Sequence, residues 1–320
     1  MLAKKYILGV LAILLQLQQA FAQQDPQFTQ FQFNQLVYNP AFAGTTDNIR
    51  FTLFNRNQWV GPAFENPPVT QTFSVNAPIK DKMGAGLHII NDKAGLERNF
   101  SLLGSYAYHL TMKSGKLGMG MNLGFKQYRV NQDEIKAYDQ YDPLVNQGIR
   151  APLLPEIGVG FLYRHKDDKF YAGISSGHLT QSKIKYTTTF ANSRLLRHYY
   201  LTGGYNYRLG TDYVLKPAIW LNYVRKAPFQ GQLNVTGEYK EMVWLGMSYR
   251  TGAAMTFNIG VNADKISEKF KEKIKIGYSF DYVMVSKIPK FRNGGSHEVF
   301  ISYELGKKEK THIPKFKRLE

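Results

Sequence analysis

Apolar residues fall at every second position through most of this chain. Between residues 116 and 128, Leu117, Met119, Met121, Leu123 and Phe125 share one face, while Lys116, Gly118, Gly120, Asn122, Gly124 and Lys126 share the other. Phe100, Leu102, Tyr106, Tyr108 and Leu110 oppose Asn99, Ser101, Ser105 and His109 in the same way. Met255, Phe257, Ile259 and Val261 repeat the pattern, as do Ile274, Ile276, Tyr278, Phe280, Tyr282 and Met284. Successive side chains of a strand point to opposite sides, so this period of two predicts strands with one apolar and one small or polar face. Fourteen such segments can be drawn, at 48–58, 68–77, 83–91, 98–110, 115–129, 155–165, 169–178, 196–208, 212–225, 229–240, 243–250, 253–262, 272–285 and 295–306.

Alternation alone fits a two-sheet sandwich as well as a barrel. Two details favour the barrel. The segments run about 9 to 13 residues, the length a tilted strand needs to cross hydrocarbon, where strands in water-soluble proteins average roughly 5 or 6. Tyrosines such as Tyr106, Tyr128, Tyr163, Tyr199, Tyr249 and Tyr303 also gather near segment ends, as in the aromatic girdles of membrane barrels. The expected fold is all-β, a transmembrane antiparallel β-barrel of about 14 strands in an outer membrane, its even count placing both termini in the periplasm. Asp81-Lys82, Lys113-Ser114-Gly115, Asp167-Asp168 and Leu209-Gly210-Thr211 then make tight periplasmic turns, and 130–154, 179–195 and 286–294 make long outward loops. The connection at 263–271 breaks this rule. Residues 264–275 hold five Lys against three acids, which is either a long charged periplasmic turn or a sign that the strand count slips there.

Outside the strands the chain divides into three further pieces. Residues 1–22 carry Lys4 and Lys5, an apolar run from Ile7 to Leu15 and the small-x-small site Ala20-Phe21-Ala22, the pattern of a removable signal peptide. A membrane anchor would need roughly 18 or more apolar residues, and Gln16, Gln18 and Gln19 interrupt the run too early. Residues 23–47 are aromatic but rich in turns. Phe28, Phe31, Phe33, Leu36 and Tyr38 are too apolar for a solvated tail, while Pro26 and Pro40 argue against a central strand. Such a segment is expected to fold against or into the periplasmic mouth of a barrel spanning 48–306. The tail at 307–320 has six Lys or Arg against two Glu, and reads either as a docking arm for an acidic partner or as a solvated end.

Composition narrows the chemistry. The absence of Cys removes disulfides, thiolate metal sites and cysteine nucleophiles together. The chain carries a net charge of +17, or +15 without Lys4 and Lys5, which suits contact with lipopolysaccharide phosphates or acidic proteins. Nucleic acid is not an expected partner in that compartment. Seven histidines (88, 109, 165, 178, 198, 297 and 312) show no metal-ligand spacing, and no nucleophile elbow, phosphate loop or dinucleotide fingerprint stands in a suitable context. The expectation is a protein that is not an enzyme and has no cofactor or metal. His88 and His109 face the lumen in this register. So do Glu298 and Glu304, which would pair with Lys116, Lys126, Lys273 and Lys275. Glycines at 84, 86, 118, 120, 124, 158, 160, 260 and 277 also face inward, either thinning the wall for a plug or permitting strand curvature.

Several short motifs lie in order along the chain. They are Asp25-Pro26-Gln27-Phe28, Tyr38-Asn39-Pro40-Ala41-Phe42-Ala43-Gly44, Arg56-Asn57-Gln58-Trp59, Asn91-Asp92-Lys93-Ala94-Gly95, Asp142-Pro143 and Gly295-Ser296-His297-Glu298. Together they resemble the PorP/SprF family of Bacteroidetes outer-membrane proteins. The resemblance implies a non-enzymatic component of the type IX secretion system, supporting export or surface attachment of secreted adhesins and, in some species, gliding motility. It also implies client proteins and a periplasmic lipoprotein ring as partners, besides outer-membrane lipid. The rival reading is a hydrophobic-solute transporter of the fatty-acid type, which also carries an N-terminal plug with an Asn-Pro-Ala element like Asn39-Pro40-Ala41. A lipid-modifying enzyme would need a catalytic constellation that the sequence does not display.

Overall fold

The computed structural model describes residues 25–61, 66–131, 152–185, 192–252, 254–267, 270, 272–283 and 295–305. All fourteen segments form strands within a few residues of their expected ends. The first half of the wall is β1 (Ile49–Val60), β2 (Val69–Lys80), β3 (Met83–Ala94), β4 (Glu97–Met112), β5 (Gly115–Val130), β6 (Leu154–His165) and β7 (Phe170–Gly177). A small hairpin, β8 (Lys183–Lys185) with β9 (Asn192–Arg194), forms a sheet of its own and packs Ile184 against Leu154. The wall resumes with β10 (His198–Tyr205), β11 (Tyr207–Leu209), β12 (Tyr213–Val224), β13 (Gln230–Tyr239), β14 (Val243–Arg250), β15 (Ala254–Asn262), β16 (Lys273–Val283) and β17 (Gly295–Leu305).

Every pairing is antiparallel between sequence neighbours, and β1 also pairs with β17, from Ile49 opposite Leu305 to Asn57 opposite His297. That last pairing closes the sheet into a barrel. The strands β10 and β11 lie along successive stretches of β12, one strand interrupted at Asn206, so the wall has fourteen members. The charged connection after β15 contains a one-turn helix, α1 (Ala263–Ile266), and costs no strand. Residues 1–24 with the expected signal peptide, the 132–151 stretch with Asp142-Pro143, all of 286–294 and the tail at 307–320 lie outside the described residues.

Burial separates the two faces as the alternation requires. Leu53, Met121, Phe161, Ile174, Leu245 and Phe257 project outward and are exposed, a continuous apolar girdle that only lipid would cover. Inward positions are small and polar, among them Thr52, Thr72, Ser74, Ser105, Asn234, Thr256 and Ser279. Their size leaves a lumen wide enough to take a peptide segment. No helix among the described residues is long and apolar enough to cross a membrane.

Residues 25–48 fill that lumen. Three 3-10 turns, Phe31–Phe33, Gln35–Val37 and Pro40–Phe42, keep the segment compact with hydrogen bonds at three-residue spacing. Asn39 starts the last turn. Its Oδ1 accepts the Ala41 N–H at 2.9 Å, and Pro40 supplies a fixed φ where no N–H is needed. Phe28, Phe31 and Tyr38 make the protein's main aromatic core with Phe54, Tyr200, Trp220, Trp244 and Phe300 of the wall. Ring centroids stand 4.6 Å apart for Phe33–Phe300, 5.0 Å for Phe54–Phe300 and 5.2 Å for Tyr38–Trp220. Each such contact adds about 0.5–1.5 kcal/mol beyond the area it buries.

The segment runs further than a plug at one mouth. Gly44 packs on Gly84 beside the Asp81-Lys82 turn, whereas Asp25 reaches Lys126 and His178 near the ends of β5 and β7 that carry the long loops. The chain thus descends the lumen from the long-loop end to the short-turn end and only then enters β1. The inward glycines explain how it fits. A Cβ on Gly84 would strike Gly44, one on Gly120 would strike the Pro40–Ala41 peptide, and one on Gly160 would strike Asn39. At these positions the wall is thinned for the segment. Gly124 and Gly260 have a different reason, since their neighbours are the Leu102 carbonyl and the Trp244 ring of the wall itself.

Candidate functional site

The lumenal segment is anchored by ions of the wall. Arg56 on β1 and Glu298 on β17 are direct cross-strand partners, brought together by the pairing that closes the barrel. Asp281 on β16 and Arg250 on β14 complete a buried group of two cations and two carboxylates. Arg56 lies 2.6 Å from Asp281 and 3.3 Å from Glu298, and Arg250 lies 3.2 Å from Asp281. Glu298 uses both oxygens on the plug, accepting the backbone N–H of Thr29 and of Gln30, each at 2.8 Å. The Thr29 hydroxyl donates to Asp281 at 2.8 Å and accepts from both arginines, while Gln232 Nε2 donates to the Thr29 carbonyl at 2.6 Å. Charge-assisted bonds of this kind are roughly twice as strong as neutral ones. Glu298 therefore pairs with Arg56 and plug backbone, not with a lysine as expected from the sequence. Glu304 does meet Lys273, at 3.4 Å, and Arg50 at 2.7 Å.

A second cluster lies at the long-loop end. Asp25 Oδ1 is 2.6 Å from Lys126 Nζ, and its Oδ2 is 3.0 Å from His178 Nε2 and accepts the Tyr200 hydroxyl at 2.9 Å. Glu156 accepts from the backbone N–H of His178 at 2.6 Å and lies 2.8 Å from its Nδ1. The His198 ring stands edge-on to His178, with centroids 4.8 Å apart. Burial alone would push the Asp25 carboxyl up, but Lys126 and the two histidines hold it well below the usual carboxylate range. These groups line a cavity of about 140 Å³, together with His88 and Asp92.

The motif residues fall in several places. Asn39, Pro40, Ala41 and Gly44 belong to the lumenal segment. Asn39 Nδ2 donates to the Phe161 carbonyl at 3.0 Å, and Gly44, with φ +73°, turns the chain toward β1. Arg56, Asn57, Gln58 and Trp59 lie together with Gly295, Ser296, His297 and Glu298 across the closing pair, and of these Arg56 and Glu298 bond to the plug, at Thr29 and Gln30. Trp59 has φ +53° at a bulge between Asn57 and Val60, and its N–H reaches Ser296 Oγ at 3.2 Å. Gln58 N–H bonds to the Pro68 carbonyl, and His297 Nδ1 meets the Tyr278 hydroxyl on the outer face. Asn91 and Asp92 stand elsewhere, Asn91 outward beside Gln71 and Asp92 inward, accepting from Thr70 at 2.6 Å and lining the cavity. His109 does face inward, with Nε2 2.7 Å from the Ala43 carbonyl.

Sequence reasoning missed Arg250, Asp281, His178 and His198. The two histidines lie at the ends of β7 and β10, which pair with His198 opposite Gly177, so only the strand pairing reveals their proximity.

A closed fourteen-strand wall with an apolar outside and a peptide-filled lumen defines an outer-membrane β-barrel of the plugged type. The chain belongs to the family of type IX secretion system membrane proteins PorP/SprF, whose model matches residues 20–303. Among solved structures the fold is similar to the CymD monoaromatic hydrocarbon channel, with a TM-score of 0.51 and 10% identity over 84% of this chain and 90% of that one. A FadL homologue of Pseudomonas aeruginosa gives 0.45 and 11% over 83% and 92%, and Omp33 of Acinetobacter baumannii gives 0.46 and 7% over 81% and 99%. At such identities the likeness is one of fold. No curated protein matches by sequence.

Proposed function

We propose that this protein serves type IX secretion as a docking and attachment component, without catalysis and without passing its clients through its own lumen. The filled lumen carries this reading. Residues 28–43 are packed against wall glycines and pinned by buried ions, so a client chain would have to expel an aromatic core to pass. The signal peptide at 1–22 is removed and the short turns face the periplasm. There α1 and the basic tail at 307–320 contact the lipoprotein ring, while the loops at 130–154 and 179–195 hold secreted adhesins at the cell surface, in gliding species those used for motility. Outward-facing Lys93, Arg98 and Arg129 are cross-strand neighbours at one level near the long-loop end. They give that level of the outer surface a positive character that suits lipopolysaccharide phosphates.

Quantitative proteomics of surface and periplasmic fractions from a deletion strain tests the reading. Loss of one or a few adhesins from the surface is the expected outcome; an unchanged surface proteome would overturn it and favour uptake of a hydrophobic solute, which the aromatic lumen and the channel-like fold also accommodate. In planar bilayers the intact protein is expected to stay closed and a variant lacking 25–44 to conduct. Large steps from the intact protein would contradict docking without passage.

A further inference from the structure

The cluster around Asp25 has the donor set of a metal site. One ligand atom from each of Asp25, His178 and His198 lies within 4.8 Å of the other two. The ring nitrogens facing away from this point are both committed. His178 Nδ1 is 2.8 Å from Glu156 Oε2, and His198 Nδ1 is 3.0 Å from the Leu196 carbonyl. A carboxylate and a carbonyl only accept, so each Nδ1 carries a ring proton; the His198 Nε2 presents a lone pair, while the His178 Nε2 donates to Asp25 Oδ2 at 3.0 Å and gives up that proton when an ion binds. A histidine oriented by a carboxylate or carbonyl on its far nitrogen is the usual arrangement behind a bound metal. The His198 ring is buried and lines the cavity, yet its Nε2 makes no hydrogen bond.

We infer that Asp25, His178 and His198 bind a divalent zinc ion that ties the lumenal segment to β7 and β10 at the long-loop end. Two imidazoles and one carboxylate suit an ion of borderline softness and leave a fourth position open toward the cavity. Bonds of about 2.0–2.2 Å in a tetrahedron place donor atoms roughly 3.3–3.5 Å apart. His178 Nε2 and Asp25 Oδ2 already stand 3.0 Å apart, so His198 and this pair need to close on each other by about an ångström. Asp25 keeps 27% of its side chain open to the cavity and has room to do so. Lys126 is the competing cation. Its Nζ lies 2.6 Å from Asp25 Oδ1 and 3.3 Å from His178 Nε2, so it keeps Oδ1 but must draw back from the imidazole for the ion to take Oδ2 and the two Nε2 atoms, and its charge lowers the affinity. The site stands on barrel geometry alone and does not depend on the secretion role.

The test uses full-length protein in detergent, stripped with chelator and titrated with Zn²⁺. One equivalent is expected to bind, with a rise in unfolding temperature and stronger amide protection of residues 25–30. Co²⁺ in its place should give the visible bands of a four- or five-coordinate ion, and Ca²⁺ should not bind. His198→Ala removes the unpartnered Nε2 together with the Nδ1 bond to Leu196, and should abolish stoichiometric binding while leaving heat-modifiable mobility intact. Glu156→Gln should weaken binding about 10–100-fold through His178, Lys126→Met should tighten it, and His297→Ala on the outer face should change nothing. No stoichiometric Zn²⁺ uptake by the wild type, or uptake retained in both His198→Ala and Asp25→Asn, would overturn the assignment; in that case His178 holds a proton between Glu156 and Asp25 instead of an ion.

Discussion

The lumenal segment meets the wall at two ionic clusters a few residues apart, and they recognise it by different means. Around Thr29 the wall supplies all four charges, and Glu298 grips two consecutive backbone N–H groups that any residue but proline would offer. Around Asp25 the segment itself supplies a charge, and the wall answers with Lys126, His178 and Tyr200. The first cluster is sealed by Arg56, Asp281 and Thr256; the second borders a cavity. One therefore holds the shape of the segment and the other one of its side chains. The first resembles a structural rivet, while the second has the openness that binding requires.

The sharpest way to break this distinction is Glu298→Ala. Two backbone donors lose their acceptor and two arginines are left with one carboxylate, a change that typically costs about 3–5 kcal/mol. Urea unfolding in detergent should show it, together with loss of amide protection at residues 28–31. Asp25→Asn keeps the shape and removes the charge. Hydrogen bonds to charged groups contribute about 1.5–3 kcal/mol, so this variant should free the first residues of the segment while protection at Thr29 and Gln30 persists. If Asp25→Asn releases the whole segment and Glu298→Ala does not, the roles are reversed. Asn39→Ala loses a cap and the link to Phe161, and should cost roughly 1 kcal/mol with protease sensitivity confined to 38–44.

The smallest effect is expected outside the lumen. Lys265 on α1 bonds to Glu241 at 2.7 Å, and this bond lowers the Glu241 carboxyl from its ordinary value. Stability from a lowered carboxyl is present above about pH 4.3 and fades as pH falls through the folded value. The pair is half-exposed and screened, so Glu241→Gln should cost under about 0.5 kcal/mol at pH 7 and nothing measurable in acid. A larger loss would mean that α1 braces the barrel in its own right.

The wall was legible because a strand at a lipid boundary must alternate, and fourteen alternating runs leave little freedom of topology. The lumenal segment had no such period. Its aromatics and prolines marked it as packed and turn-rich, but three short 3-10 turns leave no repeating pattern, so its path to the long-loop end could not be read. Arg56 and Glu298 stood in separate motifs 242 residues apart, and only β1 pairing with β17 joins them. His178 and His198 were judged by spacing along the chain, whereas the relevant spacing is across an antiparallel pair. Lumenal glycines offered two explanations, and the structure assigns different ones to Gly120 and Gly260.

The clamp on Thr29 also orders events during biogenesis. Its charged members come from the first strand and from three of the last four, so its geometry does not exist in any sheet whose first and last edges are still apart. The segment synthesised before β1 must wait for the final strand before it has a seat. Its docking is thus a chemical report that insertion is complete, readable in pulse-labelled chains as protection of residues 28–31 that begins only when the β1–β17 seam has formed.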